Sequence, residues 1–410
     1  MTIVQQADRV RRIKPSPTFG LIAEVARLQA AGHDIVSFEG GEPGYDTPAN
    51  ARGAAIDAIN AGYTRYTPVD GTLSLKDAIK NKLYRENGLR YEPDQILVSC
   101  GAKQVFYNLC QALLNPGDEV IVPAPYWTSY PDMALLADAK PITVFAGLEQ
   151  EFKITADQLA AHITPRTRLM VLNSPNNPTG AVFDAKELRA LGDVVRRHPH
   201  IIVASDDIYE RLNLSGSKFD NIVTACPDLY DRVVVINGIS KAFSMTGWRI
   251  GYAAGPKQLI AAMKTIQSQS TSSPPSISQY AAEAALNDDQ GCVAKMTAAF
   301  RERHQFLVEG LRQVNGIRCI ESRGAFYAFP DVSSAIESLG LANDMEFSRA
   351  LMTRAGVAVV PGSVFGAEGF VRMSFATDKN SLEKGLERIG NFLGRRVPEN
   401  SGFRRLSISS

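Results

Sequence analysis

The sequence predicts an α/β protein, a large domain on a mostly parallel sheet with a smaller α+β domain beside it. Three observations carry that reading. Short, near-continuous apolar runs recur through the middle of the 410-residue chain, as expected of strands buried on both faces. Amphipathic stretches of helical spacing lie between them, with turn residues at the joins. Past about residue 295 that alternation gives way to short strands mixed with helices.

Ile96–Cys100 is the first apolar run, and Ala102–Leu114 follows with helical spacing. Asn115-Pro116-Gly117-Asp118 is a turn, and Glu119–Pro123 is the next strand. Tyr126–Ala139 reads as helix, Leu169–Asn173 as strand, Ala185–Arg197 as helix and Ile201–Ser205 as strand. Val233–Asn237 and Ile250–Ala254 are two more strands, and a long amphipathic stretch begins at Pro256. Nearer the ends, Phe19–Ala31 is a helix closed by Gly32, and 296–315 is another. Short strands are expected around Gly324–Phe329, Val357–Val360 and Phe370–Ala376, with helices near Asp344–Ala355 and Asn380–Leu393. The expected organisation is an N-terminal arm over 1–49 that joins the small domain, a large domain over 50–295, the small domain over 296–394 and a loose tail over 395–410.

Composition excludes several functions. With 44 basic and 43 acidic residues, the net charge of +1 supplies no global field to hold nucleic acid or a membrane surface. The five cysteines form no CxxC pair, which argues against a zinc ribbon or a disulfide framework. The five histidines form no HExxH, and His198-Pro199-His200 reads as a polar loop rather than a pair of metal ligands. No metal is expected. Arg9, Arg11, Arg12 and Lys14 have no apolar segment behind them, so no signal peptide is read, and no apolar run spans a membrane. The expected compartment is the cytoplasm.

In open parallel sheets ligands sit beyond the carboxyl ends of the strands, and the polar motifs fall there. A strand runs into Ser240-Lys241, and Arg249 follows between Gly247 and Gly251. A lysine just past a buried strand is costly unless it is solvated, paired or used covalently. Lysine, hydroxyl and arginine together suit a phosphorylated carbonyl compound: the lysine forms an imine, and the others hold the phosphate. Asp206 closes the apolar strand before it and wants a cation, such as a protonated pyridine nitrogen, and Tyr209 can reach the same ligand. The loop Asn173-Ser174-Pro175-Asn176-Asn177-Pro178-Thr179-Gly180 offers short amide donors. Ser99-Cys100-Gly101-Ala102-Lys103 brings a strand to a helix N-terminus, where backbone N–H groups attract phosphate. Trp127 is one of only two tryptophans and could stack on a ring. Each piece also has a bland reading: a solvated loop, a helix cap, a turn, a core aromatic.

Taken together in this order, these segments resemble the class I/II aminotransferases, enzymes of fold type I that use pyridoxal 5'-phosphate. Gly238–Gly251 is similar to that family's cofactor-lysine signature, and the resemblance runs from Lys14-Pro15-Ser16 to about Leu393. It is greatest to the bacterial aspartate-aminotransferase-like branch. The resemblance implies that Lys241 carries the cofactor as an imine and moves the substrate proton, and that Asp206 pairs with the pyridine nitrogen. Asn177 and Tyr209 would bond the phenolic oxygen, and Trp127 would stack on the ring. Ser240, Arg249 and the backbone at Gly101, Ala102 and Lys103 would hold the phosphate. Tyr66 would reach the phosphate of the neighbouring subunit's cofactor, which implies a homodimer. Arg372 would grip the substrate α-carboxylate, and Gly41 would add a backbone contact. Three departures stand out. Ala102 and Asp207 replace residues that are often Gly and Glu, and Ser270-Thr271-Ser272-Ser273-Pro274-Pro275 lacks the arginine that binds a distal carboxylate in one branch.

The function this implies is transfer of an amino group between an amino acid, aspartate or glutamate, and a 2-oxo acid by ping-pong chemistry. Two other readings are weighed beside it. One is a lyase, decarboxylase or cyclase on the same cofactor, since fold does not fix reaction. The other is a binding or regulatory module that holds the cofactor without turnover; such modules usually carry a DNA-binding extension, and no basic helix-turn-helix segment is read before residue 15.

Overall fold

The computed structural model describes residues 5–15 and 17–393. The tail expected to be loose, 395–410, lies outside the described residues. The first two-residue strand is β1 (Val36–Ser37). The strands of the large sheet are β2 (Ile96–Ser99), β3 (Glu119–Ala124), β4 (Lys140–Phe145), β5 (Thr167–Asn173), β6 (Ile202–Asp206), β7 (Val233–Gly238) and β8 (Gly251–Ala254). They stand in the order β2-β8-β7-β6-β5-β3-β4. The sheet is parallel except at β8, which is antiparallel to both β2 and β7.

Alternation along these strands builds two cores. Leu97, Val120, Val122, Val171 and Ile236 face one layer, where helix Ala102–Leu113 packs beside helix Lys257–Ser268. Val98, Ile121, Met170, Val235 and Tyr252 face the other, with helices Leu73–Lys82 and Ser276–Asn287. Both faces are covered, which is why the strands read as continuous apolar runs.

A third core belongs to the chain ends. β9 (Tyr327–Ala328), β11 (Val360–Pro361) and β12 (Val371–Ser374) make a three-stranded antiparallel sheet in the order β11-β12-β9. β10 (Val357–Ala358) pairs in parallel with β1, so the N-terminal arm is woven into the C-terminal third. Val36 and Phe38 accordingly share a cluster with Phe300, Phe326 and Phe375.

Some elements differ from expectation. The helix read over Tyr126–Ala139 is only Ser129–Leu136, because Pro125 and the preceding turn hold the first residues out. The strand read over Val357–Val360 is split, β10 pairing with the N-terminal arm and β11 with β12. The amphipathic stretch from Pro256 breaks at Ser268, ahead of Pro274-Pro275.

Candidate active site

Strand direction brings the polar residues to one edge. Ser99 at the end of β2 and Gly238 at the end of β7 both pair with Gly251, the first residue of β8. β8 therefore starts where its neighbours finish, and this delivers Arg249 to the same edge. Asp206 ends β6, Asn173 ends β5, and Ala124 ends β3 just before Trp127. Beyond this edge lies a cleft of about 750 Å³, closed from the other side by the N-terminal arm, β9 and β12.

Eleven of the thirteen residues singled out in the sequence line it. Lys241, Ser240 and Arg249 come from the loop after β7, and Asp206, Tyr209 and Asn177 from the ends of β6 and β5. Trp127, Ala102, Lys103, Gly41 and Arg372 complete the set. Gly101 sits behind the wall instead. Its φ is +89°, and a Cβ there would lie 2.2 Å from an Arg249 guanidinium nitrogen, so only glycine lets that side chain pass. Tyr66 is not brought to this cleft: it is 95 % exposed on the chain's surface.

The buried charges are strained electrostatically. Asp206 is 5 % exposed; the Tyr130 hydroxyl donates to it at 2.5 Å and the Ile208 N–H at 3.2 Å. Burial still pushes its carboxyl up to about 6. Lys241 is half-buried on the cleft floor and donates to the Gly41 carbonyl at 2.6 Å. Desolvation pulls it down to about 8 against the opposing charge of Glu42, and Arg372 and Arg249 add to the fall. Arg372 is 2 % exposed and donates to Asn177 Oδ1 at 3.0 Å and the Glu39 carbonyl at 2.7 Å, while its Nε has no partner. Arg249 donates to the carbonyls of Thr246 (2.8 Å) and Cys100 (3.2 Å), from a left-handed backbone at φ +56°. Among the described residues neither arginine has a carboxylate partner.

Sequence reasoning missed several members. Tyr130 follows Trp127 by one helical turn, and that spacing was a usable signal. Asn173, in the loop singled out for its amides but given no role of its own, ties the site together, accepting from the Asn177 N–H at 2.9 Å and donating to the Asp206 carbonyl at 2.9 Å. Tyr327 gave no signal, since it sits in an apolar stretch and its hydroxyl partner, Tyr209 at 3.1 Å, is 118 residues away.

A buried carboxylate without an ion pair among the described residues, a lysine whose proton is loosened and an arginine at a helix N-terminus define a cleft for an anionic, carbonyl-bearing ring with a basic nitrogen. That is the chemistry of a pyridoxal-phosphate enzyme, and the residues present fit the cofactor. The family profile of aminotransferase class I and II matches residues 33–389. The aspartate/prephenate aminotransferase of Nitrosomonas europaea is 53 % identical over 94 % of this chain and 99 % of its own. The aspartate aminotransferase of Geobacillus stearothermophilus is 47 % identical over 95 % and 99 %. Among solved structures, the aspartate aminotransferase of Thermus thermophilus with maleate superposes with a TM-score of 0.90 at 40 % identity, covering 95 % of this chain and 100 % of that one. The chain belongs to aminotransferase class I and II. It is an aminotransferase dependent on pyridoxal 5'-phosphate, and these comparisons do not favour a lyase. Among the described residues no helix is long and apolar enough to cross a membrane.

Proposed function

We propose that this aminotransferase exchanges an amino group between aspartate or glutamate and a 2-oxo acid, in two half-reactions at one site. Two relatives are named for aspartate, and one also for prephenate, so a bulkier 2-oxo acid falls within the proposal. The observation that carries the reading is Lys241, an amine pulled down to about 8 in a cleft between a buried carboxylate and a buried arginine. A base of that strength can take and return a proton near neutral pH.

The bound cofactor supplies an electron sink for the pair left when the substrate Cα loses its proton. Lys241 Nζ would hold the cofactor, and the same amine is the base placed to move that proton. Asp206 would keep the ring nitrogen cationic, Asn177 and Tyr209 would hold the ring oxygen, and Trp127 would cover the ring. Ser240, Arg249 and the backbone at Ala102 and Lys103 hold the phosphate, with Gly101 making room. Arg372 receives the substrate α-carboxylate as a bidentate fork, supported by the backbone at Gly41. The Lys103 side chain also lines the cleft, 5.1 Å above the Trp127 ring, and its charge suits a distal carboxylate. Tyr66 serves the neighbouring subunit's site in a cytoplasmic homodimer. Residues 50–295 hold the cofactor, and 296–394 with the N-terminal arm carry the closing face.

Borohydride reduction of the yellow protein followed by peptide mapping tests the assignment. The label is expected on Lys241, and aspartate and glutamate are expected to bleach the absorbance in single half-reactions. A label on Lys103 or Lys257, or bleaching by neither acid, would overturn it.

A further inference from the structure

Tyr327 touches both halves of the cleft. It lies on β9, next to β12, which carries Arg372. Its ring lies beneath the Arg372 guanidinium, 4.5 Å from ring centroid to Cζ. Its hydroxyl stands 3.1 Å from the Tyr209 hydroxyl, and both rings are buried. That hydroxyl also faces Gly41, since a Cβ built there would come within 3.7 Å of it, and Gly41 is the residue whose carbonyl accepts from Lys241. One side chain thus meets the arginine assigned to the substrate carboxylate, the tyrosine assigned to the cofactor ring oxygen, and the glycine that anchors the lysine.

We propose that Tyr327 is a positioning residue with two separable tasks: its ring seats Arg372 for the substrate carboxylate, and its hydroxyl tunes Tyr209 as a donor to the cofactor. The inference rests on the roles given above to Arg372 and Tyr209. The ring's task follows from geometry. Arg372 is fixed by one amide oxygen and one carbonyl, its Nε is unpartnered, and the remaining support is the faces of Tyr327 and Phe365, the latter 5.1 Å away. In a desolvated site a cation over an aromatic face is held strongly. The hydroxyl's task follows from donor order. When Tyr209 donates its hydrogen to the cofactor, its oxygen is left to accept, and Tyr327 is the donor in reach. A donor that itself accepts a hydrogen bond is polarised and strengthened. Removing the Tyr327 hydroxyl therefore weakens Tyr209. The ring oxygen needs its donor most when the neighbouring lysine-linked nitrogen has lost its proton, so a weaker donor raises the protonation midpoint of the bound cofactor. Tyr327→Phe keeps the ring under Arg372, so the charged groups acting on Lys241, namely Glu42, Arg372, Arg249 and Asp206, are left in place in that variant.

Two variants separate the tasks. Tyr327→Phe keeps the ring and loses the hydroxyl, whereas Tyr327→Leu loses both. In the cofactor-loaded enzyme, an absorbance titration without substrate reads the midpoint, and displacement by maleate reads carboxylate affinity. Tyr327→Phe is expected to raise the midpoint by roughly half a pH unit, the scale of one neutral hydrogen bond, with maleate affinity within about threefold of the parent. Tyr327→Leu, which also frees Arg372, is expected to weaken maleate by roughly tenfold or more. A midpoint unmoved in Tyr327→Phe, or equal maleate affinity in both variants, overturns the proposal. Arg372→Lys run alongside distinguishes the two failures: unchanged maleate affinity there means that the underlying site assignment is wrong, and not the role of Tyr327.

Discussion

A buried carboxylate whose hydrogen-bond donors are uncharged is an expensive group, and Asp206 shows what it is kept for. Its folded pKa of about 6 lies above the ordinary 3.8, so the protein without cofactor is unburdened below about pH 4 and loses stability as pH rises toward 6. The cost is about 3 kcal/mol at neutral pH before any relaxation. Asp206→Asn is therefore expected to raise the melting temperature of the cofactor-free protein at pH 7, by an amount that shrinks toward pH 4. The same change should cut turnover of the loaded enzyme by roughly a hundredfold or more, because a neutral amide cannot hold the ring nitrogen cationic. A variant equally stable at both pH values, or one with near-parental turnover, would contradict this account. Lys103 allows a second test at this scale. If it meets a distal carboxylate, Lys103→Ala should raise KM for aspartate about tenfold and leave KM for alanine nearly unchanged; an equal effect on both would remove that role. The charged members of the site were legible because a lysine or aspartate at the end of an apolar strand needs a reason. Tyr130 and Tyr327 were not, since a buried tyrosine looks like core until the partner of its hydroxyl is known.

At the scale of elements, the site is an agreement among strand ends, and Gly251 is where the agreement is tightest. A Cβ there would lie 2.2 Å from the Ala102 nitrogen and 2.5 Å from the Gly101 carbonyl carbon, both backbone atoms that cannot step aside. Gly251→Ala should push β8 away from the start of helix Ala102–Leu113 and cost about 1–3 kcal/mol. It should also loosen the cofactor, because the N–H groups expected to hold the phosphate belong to that helix start; a faster loss of cofactor in dialysis would be the readout. Unchanged melting and retention would mean that the contact is slack. The strands of this sheet were readable because both faces are buried and alternation is absent. The antiparallel direction of β8 was not, as an apolar run carries no arrow. β4 was hidden for the opposite reason: it is the edge strand, exposed or half-exposed at five of its six positions, and it follows a short helix without an apolar contrast. Helices Ala49–Asn60 and Leu73–Lys82 also went unread. The first is rich in alanine and exposes Ile56 and Ile59, which blurs its inward face.

At the scale of the whole molecule, Arg372 and Tyr66 mark where one chain's contribution ends. Arg372 comes from β12 in the C-terminal third, yet it bonds Asn177 beyond β5 and the Glu39 carbonyl of the N-terminal arm. Three distant stretches of sequence thus converge on one guanidinium within a single chain. Tyr66 does the reverse: it is almost fully exposed and is not among the residues lining the cleft, although the proposed function gives it a cofactor phosphate. Exposed Ile56, Ile59, Tyr63 and Leu73 lie near it in sequence, an apolar stretch suited to a two-fold interface. These two placements predict opposite outcomes in one experiment. Chains inactivated by Lys241→Ala are mixed with chains inactivated by a second change, unfolded together and reassembled. If Tyr66 acts across the interface, pairing with a Tyr66→Ala chain builds one site with an intact lysine and an intact tyrosine. Half of randomly formed dimers are hybrids with one working site of two, so about a quarter of parental activity should return. If Arg372 acts within its own chain, pairing with Arg372→Ala leaves every site lacking either the lysine or the arginine, and nothing should return. Recovery with the arginine variant, or none with the tyrosine variant, would reverse the assignment of the residue concerned, and full activity in a sedimenting monomer would remove the shared site altogether.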